Sequence, residues 1–486
     1  MNRYVTVHGH FYQPPRENPW TGEVDEEVTA RPYHDWNERI TAECYAPNAP
    51  HYSRMSFNFG PTLLAWLEAN AAETYRAILA ADRASRERFS GHGSALAQAY
   101  NHAILPLANR RDKITQVAWG IRDFEHRFGR RPEGMWLPET AVDEAALEVL
   151  AAEGIAFTIL APSQAAAVRE PASRWMELDG GGIDPREPYL VPLPSGRAVS
   201  VFFYDGGLSH GIAFGELARA GDDFARALLS RFDGRSGPQL VHVATDGETY
   251  GHHVRGADRA LGQALERVES SRYARLTNYG EFLERFPPRL EARIVPNSSW
   301  SCAHGVGRWS GDCGCSAGAA VTHPWRRPLR ESLDWLRDTL APLYSAAASA
   351  LFTDPWAARD DSIAIVLDPS APSIERFFER HAIGGLSEDE MATALGLLEL
   401  QRNALLMYTS CGWFFDDPAG LETRQVLRYA ARAVELAEEH LGGSIEPLFL
   451  RLLERVRSGA GDRPDASELY RKLRAPFTPS AAVLPS

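Results

Sequence analysis

Four short apolar runs in the first half of the chain each end on a histidine or an acid. They are "YVTVH" at His8, "GMWLPE" at Glu139, "AVSVFFYD" at Asp205 and "LVHVATD" at Asp246. Their length and their β-branched and aromatic content predict strands. Helical stretches lie between them, which predicts a parallel α/β fold. The strand ending on Glu139 is followed by "VDEAALEVLAAEG", with Asp143 near the helix start and Gly154 placed as its C′ glycine, and then by a strand over Ile155–Leu160. Before it, Ile114, Val117, Ile121, Phe124 and Phe128 recur at helical spacing until "GRRP" stops the pattern. In parallel barrels and open α/β sheets, ligands bind at the C-terminal edge of the strands. One polar residue there is an ordinary loop residue; four together point to a site.

At 486 residues the chain exceeds one compact core, so two or three domains are expected. Its net charge of -13, from 51 basic and 64 acidic residues with no Lys/Arg-dense stripe, argues against nucleic acid as a partner. No apolar run reaches membrane-spanning length, and "MNRYVTVHGHFYQPP" lacks the apolar stretch of a signal peptide. Five cysteines, an odd number, fit a reducing cytoplasm better than a disulfide frame. The expectation is a soluble, cytoplasmic protein with no membrane partner.

After about residue 290 the texture changes. Asn297–Gly318, "NSSWSCAHGVGRWSGDCGCSAG", is too long and too rich in Trp, Cys and His for a plain linker. Beyond it, "RESLDWLRDTLAPLYSAAASALF", "LSEDEMATALGLLELQRNALLMY" and "TRQVLRYAARAVELAEEHLGG" read as helices. The second opens on a Ser387–Glu390 capping box and carries Met391, Leu395, Leu398 and Leu405 on one face; the third ends at Gly442. The terminal "APFTPSAAVLPS" reads as disordered.

Glu139 and Asp246, two carboxylates at strand ends, are the minimum equipment of a glycosidase: one attacks the anomeric carbon or activates water, the other protonates the leaving oxygen. Pro138 restricts the backbone leading into the acid. Trp136 would pack beneath it, and Glu248 would act on Asp246 as a like charge. The plainer reading is that Glu139 caps the next helix while Asp246 pairs with His252 or His253. A metal-dependent polysaccharide hydrolase or deacetylase is the rival, with His8, His10, Asp246 and His252 as ligands. A glucan-binding protein without catalysis is a third reading. Cys302, His304, Cys313 and Cys315 would suit zinc, but C-x10-C-x-C is not a familiar ligand frame, and free thiols in a packed loop are expected. His102 in "NHAILPL" reads by default as a turn histidine. Trp413, Phe414 and Phe415 offer either a sugar-stacking platform or core at a helix corner.

Taken together, these residues resemble glycoside hydrolase family 57, the retaining enzymes that act on α-glucans: α-amylases, 4-α-glucanotransferases and branching enzymes. "HGHFYQPP" is similar to the family's His-x-His-Gln-Pro, with Phe11 and Tyr12 inserted before Gln13. Trp136, Pro138 and Glu139 match its Trp-x-Pro-Glu, and Asp246, Glu248, Gly251 and His252 its Asp-x-Glu and Gly-His. "NHAILPL" and "SCGWFFDD" resemble its remaining regions. The resemblance implies a (β/α)7 barrel, an incomplete relative of the eight-fold TIM barrel, followed by a C-terminal α-helical domain. The expected boundaries are a catalytic barrel over 1–290, an active-site loop or linker over 291–325, a helical domain completing the cleft over 326–475 and a disordered tail over 476–486. It further implies Glu139 as nucleophile and Asp246 as general acid/base, with no cofactor and no metal. An α-glucan or another α-linked saccharide would meet His8, His10, Gln13, His102, Trp136, Asp205, Glu248, His252, Trp300, Trp413 and Phe414. The chain resembles an amylase-like branch of that family.

Overall fold

The computed structural model describes residues 2–180, 182–316, 322–457 and 464–474, so the tail expected over 476–486 lies outside the described residues. The chain forms two units, one of residues 1–13, 26–100 and 124–301, the other of residues 14–25, 101–123 and 302–486. This interleaving differs from the cuts after 290 and 325 expected from the sequence. Its cause lies in two early excursions that bond to late helices. The Gln425 side chain donates to the Glu17 carbonyl (2.7 Å), Arg359 pairs with Asp112 (2.8 Å), and the Trp119 indole donates to the Asp360 carbonyl (3.0 Å).

Seven strands form the barrel of the first unit: β1 Arg3–Phe11, β2 Ser56–Phe59, β3 Ala97–Gln98, β4 Met135–Trp136, β5 Phe157–Leu160, β6 Ala198–Phe203 and β7 Gln239–Asp246. β1 pairs in parallel with β2 on one side and with β7 on the other, where His10 stands opposite Asp246. A parallel bridge from Phe57 to Ala95 leads to β3, which pairs in parallel with β4. A second parallel bridge, Gly134 to Phe157, leads to β5, which pairs in parallel with β6. The Asp205 N–H then donates to the His242 carbonyl (2.9 Å), joining β6 to β7 and closing the ring. With helices such as Pro61–Asn70, Glu144–Ala152, Gly206–Ala213 and Ala257–Ser270 between successive strands, this is a (β/α)7 barrel. It is incomplete at the last seam. Along most of its length β6 pairs antiparallel with Tyr189–Pro192, the start of a side sheet that also holds Leu290–Ile294 and Ala165–Arg169. Sequence reasoning missed that sheet because "AAAVR" and "LEARI" carry alanine and charge where strand signals need bulk.

Side-chain alternation on β1 sends Tyr4, Thr6, His8 and His10 to one face and Val5, Val7 and Phe11 to the other. Tyr4 joins Trp136, Phe157, Phe202 and Leu240 in one buried cluster. Phe11 instead stacks on Phe59 (4.6 Å between centroids) and meets Tyr45 and Tyr52 edge-on. Phe11 therefore fills the opposite layer, while Tyr12 returns to the other side and stacks on the His10 ring (6.0 Å between centroids). Gly247 lies against this ring: a Cβ there would sit 2.2 Å from Phe11 Cδ1. Because the surrounding aromatics hold Phe11 in place, Gly247→Ala is expected to cost about 1–3 kcal/mol, read as a lower denaturant midpoint with an unchanged slope.

The second unit is helical. Arg326–Ala348, Glu388–Leu406 and Leu421–Leu441 are its long helices. Ser387 and Glu390 form the expected capping box, and Gly442 takes the left-handed φ of +70° that ends the third helix. Tyr344, Phe352, Phe377, Leu397 and Leu398 are at its core. Among the described residues no helix is long and apolar enough to cross a membrane.

Candidate active site

Glu139 is not on the strand that precedes it. β4 stops at Trp136, and Pro138–Thr140 forms a single tight turn. Within it Glu139 and Thr140 both take left-handed backbone, φ +58° and +49°. Non-glycine residues adopt that conformation at about 1–3 kcal/mol each, and only where the surroundings impose it. Here the segment 298–301 does so. The Trp300 N–H donates to the Glu139 carbonyl (3.1 Å) and the Val142 N–H to the Ser298 carbonyl (3.0 Å). Gln164 brackets Thr140, accepting from its hydroxyl (2.9 Å) and donating to its carbonyl (2.8 Å). The carboxylate is held as firmly as the backbone: Trp300 Nε1 (3.0 Å) and Ser301 Oγ (2.5 Å) both donate to Glu139 Oε2. Two donors on one oxygen fix its direction and favour the anion. Ser301 was not anticipated from the sequence, since no pattern distinguishes one serine of "NSSWSC".

Trp136 forms a floor beneath this turn. It is fully buried, with His8 and His10 each stacked on it at 4.9 Å and Trp300 edge-on at 5.0 Å. Both histidines are held neutral. Burial pushes each down to about 3, helped at His8 by the neighbouring His10 and opposed at both by Asn58. Both ring nitrogens of His8 are engaged, Nδ1 with Ser56 Oγ (3.0 Å) and Nε2 with Asn58 Oδ1 (3.1 Å). That leaves no lone pair to bind a metal, which removes His8 from the ligand set considered above and also from direct contact with a sugar. Asn58 in turn donates to His10 Nδ1 (2.9 Å) and to Gln98 Oε1 (2.8 Å).

Asp246 ends β7 and is the one residue of that strand with solvent access. The protein walls around it and the charge of Glu139 nonetheless push its carboxyl up to about 7. Glu248 is buried, accepts from the Tyr45 hydroxyl (2.7 Å) and the Tyr12 N–H (3.0 Å), and is pushed up to about 8 by burial and then by Asp246. Neighbouring carboxyls with such different surroundings are how one site separates an acid from a nucleophile.

Other expectations are corrected. The Asp205 carboxylate caps the helix that follows, accepting from the Leu208 N–H (2.9 Å), and pairs with Arg231 (3.0 Å). His252 Nδ1 bonds Glu43 Oε2 (2.5 Å). Gln13 is half-buried just past β1. His102, Trp413 and Phe414 belong to the second unit. His102 is buried in left-handed backbone (φ +54°), with Nδ1 on Ser410 Oγ (2.6 Å). Trp413 is 0% exposed, donating to the Arg326 carbonyl (3.1 Å) under the Arg330 guanidinium (4.2 Å); it is core and offers a sugar no face. Phe414 is covered by Arg308 (4.3 Å), so Phe415, at 43% exposure, is the ring of the three with open surface.

Residues 53–294 match the family described as glycosyl hydrolase family 57, and residues 322–482 a domain of unknown function, DUF3536. The fold is similar to that of an exo-type maltose-forming amylase from Pyrococcus sp. ST04, with a TM-score of 0.72 at 15% identity, covering 94% of this chain and 83% of that one. It is also similar to a branching enzyme from Pyrococcus horikoshii, with a TM-score of 0.63 at 16% identity over 97% of each chain. Alpha-amylase 1 of Dictyoglomus thermophilum is 28% identical over 107 residues, which is 22% of this chain and 15% of that protein.

Proposed function

Since residues 53–294 of this chain belong to glycosyl hydrolase family 57, we propose that it is a retaining glycosidase or glucanotransferase acting on α-glucans. Glu139 attacks the anomeric carbon while Asp246 gives its proton to the leaving oxygen. Asp246 then takes a proton from the incoming water or sugar hydroxyl as the covalent intermediate breaks down. The observation that carries this reading is the contrast between the two carboxyls. Glu139 is clamped by Trp300 and Ser301 in a strained turn, whereas burial and then the Glu139 charge push the Asp246 carboxyl up to about 7. His10 and Trp300 would border the sugar over the Trp136 floor, and a cytoplasmic location fits the odd cysteine count.

The test is anomer-resolved NMR of the first products from maltooligosaccharides, amylose and a branched glucan. The α-anomer is expected to appear first and then mutarotate. A β-anomer appearing first would refute retention. Longer or newly branched chains would identify a transferase, and reducing sugar alone a hydrolase. No turnover on any of the three substrates would overturn the α-glucan reading.

A further inference from the structure

Cys302, His304, Cys313 and Cys315 have no part in the chemistry above, yet they converge. One ligand atom from each lies within 4.8 Å of all the others, and among the described residues this is the His/Cys/Asp/Glu group close enough to share a metal ion. Cys302 Sγ is 3.7 Å from Cys313 Sγ and 3.7 Å from Cys315 Sγ, and Cys315 Sγ is 3.4 Å from His304 Nδ1. A disulfide would need about 2.05 Å. A tetrahedral zinc ion, with Zn–S near 2.3 Å and Zn–N near 2.0–2.1 Å, sets sulfur–sulfur edges of about 3.8 Å and sulfur–nitrogen edges of about 3.5 Å. The observed separations fall on those edges.

The backbone is arranged for thiolates. The Cys315 N–H donates to Cys313 Sγ (3.4 Å) across Gly314, whose φ of +74° makes the tight turn. The N–H groups of His304 and Arg308 are directed at Cys302 Sγ, and that of Ala303 at Cys315 Sγ. Neutral thiols in a packed loop have no need of so many donors. Charge gives a second, independent indication. Arg326 is fully buried, and its guanidinium donates to the carbonyls of Cys315 (2.9 Å), Phe414 (3.2 Å) and Phe415 (3.4 Å). Three thiolates, a neutral imidazole and a divalent cation carry a net charge of about -1, which the charge of the nearby Arg326 would complement.

We propose that Cys302, His304, Cys313 and Cys315 bind a zinc ion in a C-x-H-x8-C-x-C frame. Four protein ligands leave no open position, so the site is structural rather than catalytic. Cys302 directly follows Trp300 and Ser301 in the chain, so the ion staples the loop that begins at the two residues holding Glu139.

The full-length protein, purified without chelators from zinc-supplemented cells, is expected to carry about one zinc per chain by elemental analysis. Titration with a mercurial should release that zinc to a metallochromic indicator. Cobalt substitution should give thiolate-to-cobalt charge transfer and the strong visible bands of a tetrahedral site. The Cys313→Ser/Cys315→Ser variant should lose the metal, while Cys44→Ser and Cys411→Ser keep it. Should the double variant fail to fold, the mercurial and cobalt measurements on the parent protein decide. Reduced protein that neither carries zinc nor takes up zinc or cobalt stoichiometrically would overturn the site, as would cobalt spectra without charge transfer.

Discussion

Glu139→Gln is expected to lower kcat/KM on α-glucans by roughly 1,000- to 1,000,000-fold, or about 4–8 kcal/mol of transition-state stabilisation, while the protein still folds. The amide keeps an oxygen for Trp300 and Ser301 to bond but cannot form the covalent bond to C1. Glu139→Gly makes the more informative companion. Glycine takes a φ of +58° without the steric cost that a Cβ imposes, so its unfolding midpoint should stay near that of the parent. It also opens a space where the carboxylate stood. Azide supplied with maltosyl fluoride should enter there and attack C1 from the nucleophile's side, expelling fluoride and giving the β-glycosyl azide. Turnover by Glu139→Gln near the parental rate, or an α-azide from Glu139→Gly, would remove Glu139 from the nucleophile's role.

The distribution of strand-end acids shows what a sequence can and cannot reveal about such a site. The end of a parallel strand is also the entrance to the next helix, so a catalytic acid and an N-cap occupy the same sequence position. Asp205 and Asp143 are caps, bonding Leu208 and Ala146. Asp246, in the same kind of position, leads into a turn whose residue 247 cannot carry a side chain. Local pattern does not separate these cases; what each carboxylate bonds does. The left-handed turn at Glu139 was equally hidden, because "WLPE" contains neither glycine nor asparagine to announce it, and the force that imposes it comes from residues 298–301. In "GWFF" the sequence announced an aromatic cluster, but that Trp413 is the buried member shows only in the fold, where it bonds the Arg326 carbonyl and lies under Arg330. Five of the seven barrel strands were legible because composition and alternation are local properties, whereas the count of seven came from the family resemblance, since Ser56–Phe59 and Ala97–Gln98 are too short to carry a pattern. The Cys302 cluster was legible as four candidate ligands but not as a convergent group, because its spacing is no familiar frame and the ligand atoms meet only once the loop is folded.

Asp246→Asn should separate the two half-reactions. On amylose, whose leaving oxygen must be protonated, the loss is expected to be roughly 100- to 10,000-fold. On maltosyl fluoride the first step needs no proton and should survive as a burst, followed by slow hydrolysis of the intermediate. Azide should then speed turnover and yield the α-azide, the opposite anomer from Glu139→Gly. The pH profile supplies an independent check. A general acid works only while protonated, so with Asp246 pushed up to about 7, kcat/KM on amylose should fall as pH rises through that value. The charged and titrating groups around it are Glu139, which raises it, Glu248, buried on the same turn and itself pushed up to about 8, and the Tyr204 phenol. Removing the Glu139 charge removes one of the two causes of the shift. Azide-rescued turnover of an aryl maltoside by Glu139→Gly should therefore show its alkaline limb at lower pH than the parent. A limb that stays in place, or one that persists in Asp246→Asn, would mean that some other group supplies the proton.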